Sequence, residues 1–342
     1  MDGSGNTYEK KIFIIKQKQK VAHVLTETFT INIYFPGIKM VNQGEISRIG
    51  LALNDVNRPL KERFRALFTL KNIGGKEAIE EISKAFQDKS ELLKHEVAYC
   101  LGQMGDIQAI PILVSVLNDL EQQPIVRHEA AEALGAIGDA SIMNILVKIR
   151  DEDKEEVVRD TCKLAVERLL WLEKEKNKEE KELSTNPYAS TDPAPPSLEI
   201  NIKHLKENLL SEDLELFPRY RAMFSLRNLG TDESILALAE GLKSKNALFR
   251  HEIAYVLGQI QSPLVTDQLI ECLRDEKELD MVRHECAEAL GSIATDKVYE
   301  ELSKYLNKSQ PEVLRESCVV ALDFADYNNT AEFQYADTLA KV

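Results

Sequence analysis

Several features that announce a protein's class are missing from these 342 residues, and each absence narrows the reading. No apolar run approaches the ~20 residues that a membrane-spanning helix needs, so no membrane role is expected. Ile12–Ile15 is too short an apolar stretch for a secretory signal. Aromatic residues make up only 6%, which suits helices packed through Leu, Ala, Ile and Val better than a β-sandwich. Basic residues are outnumbered 43 to 57, leaving a formal net charge of -14. That balance argues against a nucleic-acid binder, which needs a basic footprint; it suits a cationic partner, though on composition alone plain solubility is the favoured reading. Five cysteines, an odd number without a CxxC, point to buried structural thiols in a soluble, cytoplasmic protein. No P-loop, GxGxxG or GxSxG motif occurs.

What is present begins with a duplication. Residues 62–74 read ERFRALFTLKNIG and residues 218–230 read PRYRAMFSLRNLG, an offset of 156. The offset holds through KHEVAYCLGQM against RHEIAYVLGQI, then VRHEAAEALGAI against VRHECAEALGSI, and on to Cys162 against Cys318. Two tandem copies of one unit follow.

A shorter period lies inside each copy. Leu-x-x-x-Gly recurs at Leu70, Leu101 and Leu134, each time closing an amphipathic segment. In HEVAYCLGQMG, Val97, Ala98, Leu101 and Met104 form one helical stripe. Gly74, Gly105 and Gly138 are expected to end their helices in left-handed caps. A second helical segment precedes each, such as KEAIEEISKAF and QAIPILVSVL. Helix pairs repeating every 30 residues or so predict an all-α solenoid of the HEAT-repeat kind, with two duplicated halves of about four helical hairpins each. The expected organisation is an N-terminal extension (1–44), an N-terminal half (45–171), a charged then Pro/Ser-rich linker (172–200), a C-terminal half (201–330) and a tail (331–342). The linker, holding Pro187, Pro193, Pro195 and Pro196, is expected to be exposed. Within the extension, HVLTETFTINIYF alternates like a strand but has nothing to pair with.

Only six histidines occur, and four precede a glutamate: His95-Glu96, His128-Glu129, His251-Glu252 and His284-Glu285. The spacing within each half is 33, so stacked repeats place His95 beside His128 and His251 beside His284. Duplication reduces the four pairs to two independent observations. A histidine near a helix start can simply hydrogen-bond, and glutamate there is favoured by the helix dipole. The outer hairpins act as an internal control, carrying Phe64-Arg65, Tyr220-Arg221, Asp160-Thr161 and Glu316-Ser317 in the same slot. The repeat therefore folds without His-Glu, and its confinement to inner repeats favours a shared metal site. Imidazole and carboxylate without thiolate suit iron, manganese or zinc. Facing halves would bring two metals within a few ångströms of each other, able to bridge a small ligand or activate water. Adjacent residues differ by about 100° around a helix, so the eight side chains cannot all point alike.

Other candidates carry less. Cys100 and Cys286 lie near these motifs, unmatched in the other half, and are read as small buried hydrophobes; Cys162 and Cys318 match and are read as core. Tyr99 and Tyr255 match four residues after a histidine and either line the site or pack in the core. Arg65 and Arg221 either orient neighbouring carboxylates or sit on a solvated face. His23 and His204 are assigned nothing.

The sequence resembles the deoxyhypusine hydroxylase family. The carriers are RFRALFTLKNIGG, LLKHEVAYCLGQM, VRHEAAEALGAIGD, NPYASTDPAPP, PRYRAMFSLRNLG, ALFRHEIAYVLGQI, VRHECAEALG, LRESCVVALD and FQYAD, spread over about residues 46–338. The resemblance implies an iron-dependent monooxygenase. It would hydroxylate the deoxyhypusine side chain of translation initiation factor 5A to hypusine, with O2 and a non-haem di-iron centre of two Fe2+ per chain. By motif, His95, His128 and Glu129 would hold one iron, and His251, His284 and Glu285 the other. Glu96 and Glu252 would face the cationic substrate, in keeping with the helical-angle argument. The N-terminal extension departs from the family's pattern, and Asp280 replaces a commoner Asn. Two alternatives stay open on the residues alone. One is a two-metal hydrolase on the same ligands, and the other a non-enzymatic HEAT-repeat adaptor of the bilin-lyase type.

Overall fold

The computed structural model describes residues 42–175 and 183–329. The strand-like alternation expected before residue 42, His23 and the expected tail lie outside the described residues. Among the described residues there are sixteen α-helices and no strand. Asn186–Ser190 forms a short turn in which Asn186 Nδ2 donates to Ser190 O and Asn186 Oδ1 accepts from the Tyr188 amide. The rest is one compact unit.

The helices pair as antiparallel hairpins, four in each half, as the repeat predicts. In the first half these are α1 (Gln43–Asn54) with α2 (Leu60–Ile73), α3 (Lys76–Ser83) with α4 (Glu91–Met104), α5 (Ile110–Asn118) with α6 (Pro124–Ile137), and α7 (Met143–Glu152) with α8 (Glu156–Glu175). In the second half they are α9 (Ile202–Leu210) with α10 (Leu216–Leu229), α11 (Asp232–Glu240) with α12 (Ala247–Ile260), α13 (Thr266–Arg274) with α14 (Asp280–Ile293), and α15 (Asp296–Leu302) with α16 (Glu312–Asn329).

Side chains at the hairpin bends explain why the pairs close. Arg63, Arg127, Arg219 and Arg283, each near the start of a second helix, donate Nε to the carbonyls of Leu53, Leu117, Leu209 and Leu273. Those carbonyls end the first helices and lack partners within them. Ser90 Oγ caps α4 through the Leu93 amide, and Asn246 Oδ1 caps α12 through the Phe249 amide.

The second helices stack on one another along each half, α4 on α6 and α12 on α14. Their approach is set by glycine. A Cβ on Gly102 would lie 2.6 Å from Ala133 Cα, and one on Gly258 would lie 3.0 Å from Ala289 Cα. Gly105 and Gly138 take left-handed caps as expected. Gly74 does not, because its φ of 71° is combined with an extended ψ of -178°. In the second half the two matching caps are non-glycine, Gln261 and Ala294, each at φ 56°.

The halves meet reciprocally at both ends: α8 packs on α10 and α12, and α16 on α2 and α4. Glu316 Oε2 accepts from Ser90 Oγ (2.7 Å), and at the matching position Asp160 Oδ2 accepts from Asn246 Nδ2 (2.6 Å). Arg65 reaches both Asp323 oxygens in the opposite half, whereas Arg221 donates to the carbonyls of Pro195 and Pro196. Neither arginine orients a carboxylate of the His-Glu set, and neither sits on a purely solvated face.

That last contact corrects the reading of the linker. Residues Pro193 to Pro196 are buried, not exposed, and Ala194 is fully so. Thr191 exchanges two hydrogen bonds with the Gln103 side chain, and Asp192 pairs with the buried Arg227 at 2.6 and 2.8 Å. Composition suggested exposure, but proline has no N–H to leave unpaired, and Arg221 takes its carbonyls, so the segment packs at low cost.

Candidate metal centre

Each His-Glu histidine is the fifth residue of its helix: His95 of α4, His128 of α6, His251 of α12 and His284 of α14. Equal registers and close helix stacking bring them together. Ring centroids of His95 and His128 are 5.6 Å apart, and those of His251 and His284 are 5.4 Å apart. Across the halves the separations are of the same size, 5.1 Å for His95–His284 and 5.3 Å for His128–His251. All four histidines, and the four glutamates beside them, are buried. His204 is exposed beside Glu199 and takes no part.

The glutamates divide as the helical angle requires. Glu129 Oε2 lies 3.3 Å from His95 Nε2, and at the matching place Glu285 Oε2 lies 3.5 Å from His251 Nε2 and 3.9 Å from His284 Nε2. Ligand atoms of His251, His284 and Glu285 all fall within 4.8 Å of one another, as do those of His95, His128 and His251. Glu96 instead lies on the other side of the His95 ring, 3.5 Å from Nδ1. Glu252 Oε1 is buried with no hydrogen-bond partner among the described residues.

Two further carboxylates join the cluster that the motif reading did not single out. Glu132 comes within the same 4.8 Å of His128 and Glu129, and Glu288 Oε1 lies 3.6 Å from His284 Nδ1. The signal was available, since these residues share the 156-residue offset and sit one helical turn after a histidine. Tyr99 and Tyr255 occupy the same step after the other two histidines. Their hydroxyls hydrogen-bond to each other across the halves at 3.0 Å, and Gln259 Nε2 donates to Tyr255. Both rings also pack against the hydrophobic core of their own half. Cys100 and Cys286 are buried and absent from the metal-capable groups among the described residues; Cys272 is only partly buried.

The electrostatics are those of a cation site. Burial pushes the Glu252 carboxyl up to about 8, helped by the charges of Asp192 and Glu129, and burial with Glu96 does the same at Glu288. Glu132 and Glu285 are raised by burial and neighbouring carboxylates. Burial and neighbouring imidazoles hold His128, His251 and His284 well below the usual histidine value, so their rings are neutral and able to coordinate a cation. At His95 burial works downward, but Glu129 and Glu96 outweigh it and raise the ring. Among the described residues, none of the eight ring nitrogens of these histidines has a hydrogen-bond partner. Leaving a buried polar atom unpaired costs about 1–3 kcal/mol each, and a cation coordinated by these nitrogens would offset that cost. Six carboxylates and four imidazoles without thiolate fit two hard or borderline dications such as iron.

Comparison with known proteins agrees with this architecture. Models of HEAT repeats match residues 51–122, 108–167 and 202–281, and a PBS lyase HEAT-like repeat matches 282–308. Deoxyhypusine hydroxylase of Drosophila melanogaster is 55% identical over 304 residues, covering 89% of this chain and 99% of the relative. The chain belongs to the deoxyhypusine hydroxylase family. The Homo sapiens deoxyhypusine hydroxylase is 52% identical over 303 residues, covering 89% of this chain and 98% of that protein. The solved structure of the human enzyme in complex with glycerol superimposes with a TM-score of 0.80 at 52% identity, covering 84% of this chain and 98% of its own. Among the described residues no helix is long and apolar enough to cross a membrane.

Proposed function

We propose that this protein hydroxylates the deoxyhypusine side chain of translation initiation factor 5A, with O2 as oxidant and two iron ions per chain. The observation that carries the reading is the set of four buried histidines, contributed equally by both halves, whose rings cluster together and whose ring nitrogens have no hydrogen-bond partner among the described residues. His95, His128 and Glu129 hold one iron in this reading, and His251, His284 and Glu285 the other. When bound, the iron pair supplies the redox chemistry that activates O2. One oxygen atom enters a substrate C–H bond and the other leaves as water, so an external reductant provides two electrons.

The chain's own residues supply binding and orientation. Deoxyhypusine carries a secondary and a terminal amine, both cationic near neutral pH. Glu252, with a buried unpartnered oxygen, offers a charge-assisted acceptor to one amine, and Glu96 occupies the matching place in the other half. The amine's charge draws the proton off a carboxyl that burial otherwise keeps neutral. Burial of the cluster excludes water from around the reacting bond. A cytoplasmic location fits five thiols that are all free.

The test is incubation of iron-loaded protein with deoxyhypusine-containing factor, reductant and O2, followed by mass analysis. One added oxygen atom is expected, and no mass change, or activity only with zinc, overturns the reading. Glu96→Ala and Glu252→Ala are expected to retain iron and lose turnover. Wild-type turnover in both variants would remove the substrate role.

A further inference from the structure

The pseudo-symmetric glutamates Glu132 and Glu288 belong to neither ligand set named above. Each follows a site histidine by four residues, one helical turn, and therefore shares its face of the helix. The other two histidines have Tyr99 and Tyr255 at that step. The duplicated site thus contains two kinds of imidazole, one with a carboxylate a turn further on and one with a phenol.

The ring of His284 shows what the carboxylate can do. Its Nε2 faces Glu285 Oε2 at 3.9 Å, while its Nδ1 faces Glu288 Oε1 at 3.6 Å. Opposite edges of one ring therefore look at different carboxylates. In the first half Glu132 lies in the same tight group as His128 and Glu129. Glu288 Oε1 and both nitrogens of His284 are buried and unpartnered among the described residues, so acceptor and donor are both available. At 3.6 Å the contact is too long for a hydrogen bond in this structure, and the proposed bond requires the two side chains to approach by a few tenths of an ångström.

A neutral imidazole carries one N–H, and the partner of that N–H decides which nitrogen remains free to bind a metal. His95 differs, with the adjacent Glu96 facing its Nδ1 at 3.5 Å. We propose that Glu132 and Glu288 are positioning residues, each accepting the Nδ1–H of the histidine one turn before it, His128 or His284. The bond fixes the tautomer that leaves Nε2 for the metal. This rests on the metal reading above. It assigns the two glutamates an orienting role distinct from the ligand role of Glu129 and Glu285 and the substrate role of Glu96 and Glu252.

Glutamine retains a carbonyl oxygen that can accept Nδ1–H, whereas alanine does not, and that contrast gives the test. Metal-free Glu132→Ala, Glu288→Ala, Glu132→Gln and Glu288→Gln proteins are titrated anaerobically with ferrous iron. Stoichiometry, affinity and absorption spectrum after admission of O2 are compared with those of the wild type. The alanine variants are expected to bind two irons about 10- to 100-fold more weakly, with a shifted absorption band. The glutamine variants are expected to recover most of the affinity. Thermal unfolding of the metal-free variants checks that each is folded. Wild-type affinity and spectrum in the alanine variants would overturn the proposal, and so would loss of one iron in both alanine and glutamine variants, which marks a direct ligand. His128→Ala and His284→Ala are run alongside. If they too keep two irons at full affinity, the metal reading itself fails rather than the assignment of the glutamates alone.

Discussion

Replacing Gly102 by alanine tests whether helix spacing sets the site. The new Cβ would meet Ala133 Cα at 2.6 Å and Ala133 Cβ at 2.8 Å, both on the neighbouring helix α6. Ordinary carbon contacts begin at about 3.5 Å, so α4 and α6 must separate by roughly 1 Å or tilt apart. Neither obstacle is the free end of a flexible side chain, which leaves no cheap escape. Overpacking of this kind costs about 1–3 kcal/mol, against which alanine returns up to about 1 kcal/mol of helix propensity. A net loss of roughly 1–2 kcal/mol follows. The displacement is felt at the site because His95 lies two turns from Gly102 on the same face of α4. Metal–ligand distances tolerate only about 0.2 Å, so opening the 5.6 Å His95–His128 separation should weaken iron binding by about tenfold or more. Chemical denaturation of the metal-free protein and anaerobic iron titration measure the two effects. The double variant Gly102→Ala with Ala133→Gly removes the 2.8 Å contact with the Ala133 methyl but leaves the 2.6 Å contact with the backbone Cα, so it should restore only part of each. Unchanged stability and iron affinity in Gly102→Ala, or a double variant no better than the single, would refute the reasoning.

Three other outcomes are expected. Ala294→Gly relieves a left-handed cap residue at φ 56° and should stabilise the fold by about 0.5–1 kcal/mol, read as a rise in midpoint on thermal unfolding. In a double-mutant cycle, Arg65→Ala and Asp323→Ala should couple by less than about 1 kcal/mol, because the pair joining the halves is partly exposed; a larger value would mean the halves depend on it. Glu252 and Glu288, with carboxyls raised by burial to about 8, are largely protonated at pH 7 in the metal-free protein. Iron binding near pH 7 should therefore release protons, and affinity should rise with pH up to about 8, because dications held close by favour the charged form of these carboxyls without being bound by them. Stability of the metal-free fold runs the opposite way: a carboxyl raised in the folded state makes the fold less stable as pH climbs from about 4.5 to about 8. Calorimetric titration in two buffers of different ionisation heat counts the protons, and a count of zero at pH 7 contradicts the assignment.

Much of this was legible in the chain. The 156-residue offset and the Leu-x-x-x-Gly period required paired helices in two equal halves, because hydrophobic stripes at helical spacing can be buried only by stacking. His95, His128, His251 and His284 stood out because the outer hairpins do without them. A 33-residue spacing places two of them side by side whatever the details of packing. Glu132 and Glu288 were equally visible by offset, yet glutamate on a helix is usually solvated, and only their place beside the site histidines distinguishes these two.

Sequence by itself determined the repeat, the helix caps at Gly105 and Gly138, and the ligand types on offer. Only the tertiary structure decided that the halves close on each other through α8 and α16, because contacts such as Ser90–Glu316 and Arg65–Asp323 join residues more than 200 positions apart. No local pattern encodes such a distance. Likewise, the prolines of 193–196 read as an exposed linker until Arg221 and Arg227 were seen to hold that segment down. Composition records what a residue tolerates, but burial depends on what the rest of the chain brings to it.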